Sequence, residues 1–231
     1  MTSAEWLQEA SAGTMLEAVR RHGRLPYRVV ARKYRLTACA VFRWLAAKCD
    51  EPAMVTAVEA CERYVDGGIG LSAVEAAIGE LTKPTPVVLR DEDELGTLDP
   101  LSAAHHARHA ARALAAPAPF SAAYDSAKAW GDFVGWRAPD RSTHLASLCP
   151  ILRDIFGNPF GPVVLDPTWR TSTAVAIARQ MDHSRDFSLM PILADALQDV
   201  GCDNPDILDH CLGSGPHVRG CWVVDLILGK S

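Results

Sequence analysis

The chain has 231 residues, 48% of them hydrophobic, which is enough to bury the core of one large domain or of two small ones. Its formal net charge of -5 argues against a chain-wide affinity for nucleic acid or for an anionic membrane surface. No apolar run approaches the roughly 18 residues that cross a bilayer, and the seven cysteines lack the dense pattern of a small secreted scaffold. We therefore expect a cytoplasmic protein that does not bind membranes.

Apolar residues recur at spacings of three and four along most of the chain, which predicts helices almost throughout. We expect an all-α protein, an irregular multi-helix bundle, with at most a short extended piece at Val163-Val164-Leu165. In chain order, the predicted helices cover residues 15–21, 27–49, 50–66, 72–81, 101–116, 122–134, 141–156, 166–178, 187–200, 205–210 and 221–228.

The stretch 83–100 differs in composition from its surroundings, because it holds three prolines and an acidic run at 91–94. Such a stretch is typical of a connection between folded parts. It divides the chain into an N-terminal helical part, residues 1–82, and a C-terminal helical part, residues 101–231. We expect the two parts to fold as one cooperative globular unit.

Basic residues are concentrated at 20–48, which holds nine of the 23 lysines and arginines, with no acidic residue between positions 18 and 49. Residues 27–46 resemble a helix-turn-helix DNA reader, with Val41 and Trp44 as inward residues of its second helix. The nucleic-acid contacts would then come from five side chains: Arg28, Arg32, Lys33, Arg35 and Arg43.

The turn of that motif is the weak position, because it usually needs a glycine in the left-handed conformation and Arg35 stands there. As one continuous helix, the same residues need no special backbone. Their arginines would then form a solvated face that pairs with acidic groups elsewhere. The sequence is compatible with both a helix-turn-helix and one continuous helix.

Metal-binding residue types are concentrated at 202–221. Zinc prefers Cys and His, usually four ligands in two close pairs, and Cys202, Cys211, His217 and Cys221 supply that chemistry, with His210 as an alternative to Cys211. Only His217 and Cys221 have the usual ligand spacing. The alternative is that the thiols pack as small apolar side chains and the histidines form hydrogen bonds. We expect no cofactor, or zinc if these residues bind a metal.

A second use of the same region is a polar surface. The glycine-rich run 213–221 could place His217 beside Arg219, with His210 nearby, as a pair that binds an anion or a partner protein. The alternative is that these side chains are tied to backbone carbonyls, which is the commoner outcome for polar groups in glycine-rich ends.

Four segments carry a resemblance to a known family: MTSAEWL at 1–7, AVEACERYVDG at 57–67, LRDIFGNPF at 152–160, and 193–230 with its motif GCDNxDILxHCxGxGPHVRGCWVVDLxLGK. They resemble a family of uncharacterised bacterial proteins, most familiar from planctomycete-type genomes. The resemblance implies no activity, since none is assigned to that family. It also implies one uninterrupted buried helix over 32–44, and the C-terminal Cys and His residues match the family as they stand.

Catalytic patterns are absent from the sequence: no strand-turn-helix setting for a nucleophilic serine, no glycine-rich phosphate loop and no framed carboxylate pair. The leading hypothesis is therefore a non-enzymatic helical module that binds another protein. One alternative is a nucleic-acid-binding protein that uses residues 20–48. Another is a metal-binding protein or metal-dependent hydrolase centred on residues 202–221.

Overall fold

The computed structural model describes residues 1–22, 25–48, 52–81, 114, 118–134 and 146–230. Within these ranges the chain forms α-helices and one 3₁₀ turn and no β-strand, which confirms the predicted all-α class. The helices are α1 (Ser3–Gln8), α2 (Ala12–His22), α3 (Tyr27–Lys48), α4 (Pro52–Val65), α5 (Leu71–Leu81), α6 (Pro119–Val134), α7 (Cys149–Phe156), α8 (Ser172–Ser184), α9 (Met190–Gln198), α10 (Pro205–Leu212) and α11 (Trp222–Leu228). None of these described helices combines the length and the apolar character that a membrane crossing requires.

The first helix, α1, is one that periodicity did not predict, because it is only six residues long. Its start is set by a capping box in which the Thr2 hydroxyl accepts from the Glu5 backbone N–H and the Glu5 side chain accepts from the Thr2 N–H. Trp6 holds the helix in place: its ring is fully buried and its Nε1 donates to the Gly157 carbonyl at 2.7 Å.

The central helix, α3, runs without interruption over 22 residues. No glycine or proline occurs between Tyr27 and Lys48, so nothing in the segment breaks the helical hydrogen bonding. The turn that the helix-turn-helix hypothesis needs near Arg35 therefore does not form. Helix α3 instead packs against α4, α6 and α7, and most of its residues from position 33 to 46 are buried.

The larger of two hydrophobic cores, here called the first core, is built from side chains of α1 to α7. Helices α6 and α7 lie on the C-terminal side of residues 83–100, yet they pack against α2 and α3. The proposed connection at 83–100 lies outside the described residues, as does almost all of the helix predicted at 101–116. The division into two helical parts therefore stays a prediction.

The second core is formed by helices α8 to α11 and by residues of the segments that precede and connect them. The sequence predicted one helix over 166–178, but the chain forms a 3₁₀ turn at Pro167–Trp169 and then a new helix from Ser172. The reason is two successive caps: Asp166 accepts from the Thr168 N–H, and Thr171 accepts from the Ala174 N–H. Residues 163–165 are neither helix nor strand.

An electrostatic network joins the two cores around Glu62 of α4, a carboxylate that is almost completely buried. It forms ion pairs with Arg43 at 2.6 Å, with Arg185 at 2.7 Å and with Arg219 at 3.3 Å. Burial raises the pKa of Glu62, but the hydrogen bond and charge of Arg43 and the charge of Arg185 outweigh burial and hold it below its ordinary value. Glu62 is therefore charged in the folded protein and connects α3, α4 and the C-terminal residues.

A second carboxylate, Asp66, extends this network. It pairs with Arg32 at 3.1 Å and with Arg219 at 2.5 Å, and Lys230 lies 3.6 Å away. Arg32 also pairs with the fully buried Asp225 of α11. The two cores are thus held together by charged groups that are largely shielded from water.

Candidate metal centre

Asp154 is a charged residue in the buried face of helix α7. Its neighbours Ile151, Leu152 and Ile155 are apolar and buried, so the helix carries the carboxylate into the protein, where it is only 1% exposed. A buried carboxylate must be paired or hydrogen-bonded to offset the loss of hydration. The partners of Asp154 come from the C-terminal region, more than fifty residues later in the chain.

His210 lies in the last turn of helix α10, whose start is fixed by Asn204 accepting from the Ile207 N–H at 3.2 Å. Helix α10 ends at Gly213, and the loop that follows brings His217 and Cys221 back toward α7. The Val218 N–H donates to Oδ2 of Asp154 at 2.9 Å, which fixes the loop against the carboxylate.

Four potential ligand atoms converge at this point. Nε2 of His210 lies 3.1 Å from Oδ1 of Asp154 and 3.2 Å from Sγ of Cys221. Nδ1 of His217 lies 3.0 Å from the same Oδ1. All four atoms lie within 4.8 Å of one another, and the side chains of the histidines are 19% and 9% exposed.

Surrounding hydrogen bonds orient two of the four side chains, those of His217 and Asp154. Nε2 of His217 lies 3.4 Å from the Gly213 carbonyl and Nδ1 lies 3.0 Å from Oδ1 of Asp154, so both ring nitrogens face acceptors in the metal-free protein. A metal would displace the proton of Nδ1 while Nε2 keeps its carbonyl partner. The Val218 N–H occupies Oδ2 of Asp154 and leaves Oδ1 facing the histidines. Partners of this kind hold metal-binding residues in one tautomer and one orientation.

Protonation of the site follows from its burial. Burial raises the pKa of Asp154, but hydrogen bonds from His210 and His217 outweigh burial and hold it below its ordinary value. Burial lowers the pKa of His217, whereas its hydrogen bond to Asp154 and the carboxylate charge raise it by more, so the net shift is upward. Asp154 is therefore an anion, and His217 favours its protonated form when no metal is bound.

Cys221 is unsuited to nucleophilic catalysis. Burial, together with the nearby charge of Asp154, raises the pKa of its thiol well above the ordinary value, so the reactive thiolate is disfavoured. Asp154 and Cys221 also contact the same nitrogen of His210, whereas a catalytic triad requires the acid on the other ring nitrogen. A bound cation would reverse this pKa shift, since a coordinating thiol is deprotonated outright.

The donor set fits a transition metal. Bonds of about 2.0–2.3 Å place the ligand atoms of a tetrahedral zinc site about 3.3–3.7 Å apart. The three hydrogen-bond distances here, 3.0, 3.1 and 3.2 Å, are a few tenths of an ångström below that range, whereas the separations in the whole group extend to 4.8 Å, so the side chains would have to adjust around a bound ion. The group of four side chains shares protons in this structure, and it could hold a cation in their place.

The predicted ligand set differs from this group. The structure brings His217 and Cys221 together with His210, but it places Cys202 and Cys211 in the second core among apolar side chains. Asp154 was not predicted. Its signal in the sequence is a carboxylate within the apolar stripe of a helix, although that pattern does not reveal which residues it meets.

The five basic residues proposed to contact nucleic acid lie in different surroundings. Arg32 and Arg43 form the ion pairs described above, and Lys33 and Arg35 are buried. Only Arg28 among the five is exposed. Four of the five are therefore engaged in intramolecular packing or ion pairing, and their contact with nucleic acid stays a prediction.

The expected surface of His210, His217 and Arg219 does not form as one patch. Arg219 is 15% exposed and turns toward Glu62 and Asp66, whereas both histidines turn toward the carboxylate of α7. The physical reason is that a buried acid must be paired, and Arg219 pairs with the acids of α4 and its end whereas the histidines pair with Asp154 of α7.

Comparison with family models, with curated proteins and with solved structures gives no significant match for this chain.

Proposed function

We propose that the protein is a zinc-binding helical protein in which Zn²⁺ bound by Asp154, His210, His217 and Cys221 fastens its C-terminal region to the first core. The observation that carries this proposal is the convergence of four ligand atoms within 4.8 Å. The mixture of one thiol, two imidazoles and one carboxylate favours zinc, which is borderline-soft and accepts S, N and O ligands in a tetrahedron.

The number of protein ligands favours a structural over a catalytic role. Catalytic zinc sites keep three protein ligands and an open position for water, whereas structural sites are closed by four. Here four side chains supply the four positions, and the cysteine is fully buried. The site would therefore act on folding and on the relative placement of helices, without activating water.

The position of the site in the fold supports the same role. Asp154 belongs to α7, which contributes to the first core, whereas His210, His217 and Cys221 belong to or adjoin helices of the second. One cation would cross-link segments that lie 56 to 67 residues apart along the chain. Metal binding by such residues adds directly to the free energy of folding.

The test is the metal content of the full-length protein purified without chelator, measured by elemental analysis. We expect one zinc ion per chain, and Co²⁺ in its place should give the charge-transfer absorption of a cobalt-thiolate bond. Wild-type protein that contains no stoichiometric metal, and that takes up none after dialysis against Zn²⁺, would overturn the proposal.

A matched pair of variants identifies the site. Cys221→Ser should lose the zinc and the cobalt-thiolate absorption, because the thiolate ligand is gone. Cys211→Ser is the control, since Cys211 is equally buried but lies in the apolar second core. Equal zinc content in both variants would show that the metal binds elsewhere.

A further inference from the structure

A cavity of about 270 Å³ lies beside the metal centre, between α1, α3, α7, α10 and α11. His210 forms part of the wall that it shares with the site. Most of the lining is apolar, with side chains of Leu7, Leu25, Phe156, Val163, Trp222 and Leu226. Ligand sites in proteins commonly have this form, an apolar pocket with a few placed polar groups.

Lys33 of α3 is the first unusual group in the cavity wall. It is only 3% exposed, and within the described part of the chain its Nζ forms one hydrogen bond, to the Ile155 carbonyl at 2.5 Å. An ammonium group has three donors, so two remain. Burial lowers the pKa of Lys33 by more than the nearby charges of Asp225 and Asp154 raise it, and no described carboxylate lies within ion-pair distance of its Nζ.

Arg153 of α7 is the second. Its Nη2 donates to the carbonyls of Trp6, at 3.3 Å, and Glu9, at 2.5 Å, while its Nε is buried and has no hydrogen-bond partner. No described carboxylate pairs with this guanidinium either. Asp206 also lines the cavity but is exposed in the first turn of α10. The two cations therefore exceed the acids of the wall by one charge.

We propose that this cavity binds a small apolar carboxylic acid, with its carboxylate against Lys33 and Arg153 and its hydrocarbon part against Trp222 and Leu226. A buried donor without an acceptor is costly, and a carboxylate that enters the cavity would supply acceptors for the remaining donors of Lys33 and for the buried Nε of Arg153. A charge-assisted hydrogen bond to a carboxylate is also among the stronger polar contacts in proteins.

The lining selects the chemistry of the ligand. An inorganic anion would lose its hydration in the cavity without gaining apolar contacts, whereas a short aliphatic or aromatic tail gains them. A neutral apolar molecule would fill the volume but leave the buried donors of Lys33 and Arg153 without an acceptor. The volume is slightly below the roughly 300 Å³ lower limit of pockets for drug-sized ligands, which favours a small acid.

The test is calorimetric titration of the full-length protein with hexanoate, and with hexan-1-ol as a neutral molecule of the same length. We expect saturable binding of hexanoate and affinity for the alcohol lower by about tenfold or more, the usual effect of losing a hydrogen bond to a charged group. Equal affinity for the two probes, or no saturable binding of hexanoate, would overturn the proposal.

A variant locates the carboxylate. Lys33→Met keeps most of the side-chain volume and removes a buried charge, so we expect it to melt at the same temperature as the wild type or higher. Hexanoate should bind it about tenfold more weakly or worse. Hexanoate affinity equal to that of the wild type in this folded variant would contradict the role of Lys33.

Metal removal separates this inference from the zinc proposal, because a carboxylate can also bind a zinc ion. The titration is repeated on protein treated with chelator and dialysed. We expect hexanoate affinity to change by less than about threefold, since Lys33 and Arg153 do not ligate the metal. Hexanoate binding that disappears with the metal, and is unchanged in Lys33→Met, would place the carboxylate on the cation and overturn the cavity site.

Discussion

Cysteine has different roles in the interior of the second core and at its boundary with the first core. Cys211, in the interior, is surrounded by apolar side chains, and burial, followed by the proximity of Cys202, raises the pKa of its thiol to about 12. Cys221, at the boundary, is equally buried but lies 3.2 Å from an imidazole nitrogen of His210. The first thiol fills space, whereas the second belongs to a polar group.

The difference shows that the residue type alone does not make a metal ligand. What matters is whether several lone-pair atoms meet at one point with their other atoms already hydrogen-bonded. Cys202 and Cys211 lack the oxygen and nitrogen donors that surround Cys221 in the described part of the chain. Changes that act on the boundary without touching the interior should therefore separate metal binding from packing.

Truncation after Gly201 is the largest perturbation, because it removes both the interior and the boundary. It deletes α10 and α11 with the buried Ile207, Val223, Val224 and Ile227, and it leaves Asp154 without its imidazole partners. We expect loss of the cooperative thermal transition followed by circular dichroism, with aggregation. A truncated chain that melts at the wild-type temperature would contradict the role of the second core.

Metal removal acts on the boundary alone and should be the next largest effect. At free zinc about 1,000 times its Kd, binding stabilises the folded state by about 4 kcal/mol, and chelator removes that contribution. We expect chelator to lower the Tm of the wild type and of Cys211→Ser, but not that of Cys221→Ser. If chelator leaves the Tm of the wild type unchanged, zinc does not contribute to the stability of the folded protein.

Substitution of Glu62 tests how much the ion pairs at the boundary stabilise the protein, and it leaves the metal site unchanged. Glu62→Gln leaves three arginines around a neutral, buried amide, and breaking a buried ion pair costs about 3 kcal/mol. We expect that loss of unfolding free energy in urea, with the zinc content unchanged. Glu59→Gln is the control, because Glu59 is 46% exposed and lies 3.8 Å from Arg185, where an ion pair contributes at most about 1 kcal/mol. Equal losses in the two variants would show that the burial of Glu62 does not matter.

The smallest expected effect is the pH dependence of the folding stability of the metal-free protein. Burial lowers and the hydrogen bond to Asp154 raises the pKa of His217, with a net upward shift, so its stabilising contribution is full below about 6.5 and disappears as pH rises through the shifted value. The lowered pKa of Asp154 acts oppositely: its contribution is present above about 3.9 and is lost as pH falls.

Above about pH 6.5, zinc should stabilise the folded protein more as pH rises, because it must displace protons from His217 and Cys221 to bind. We expect the urea midpoint of metal-free protein to decrease as pH rises above about 6.5, while the increase caused by zinc grows over the same range. The control is Cys221→Ser, in which zinc should add nothing at any pH. An increase caused by zinc that is independent of pH would contradict ligation through these side chains.

The sequence by itself determined the all-α class and most of the helices, because apolar spacing and helix caps are local. The end of α9 before Gly201 and the uninterrupted course of α3 follow from residue types that lie next to one another in the chain. The short helix α1 and the break before Ser172 depend on single caps, which periodicity over a longer window does not register.

The sequence predicted only part of the candidate site. His217 and Cys221 have ligand spacing and adjoin one loop, so local pattern suffices for them. Asp154 joins them only through the packing of α7 between the two cores, and its 63-residue separation from His217 leaves no local trace. Tertiary structure alone decided which buried carboxylate meets which histidine and which cysteines only fill space in a core. The reason is that the free-energy cost of burying a charge depends on the groups that surround it in the folded protein.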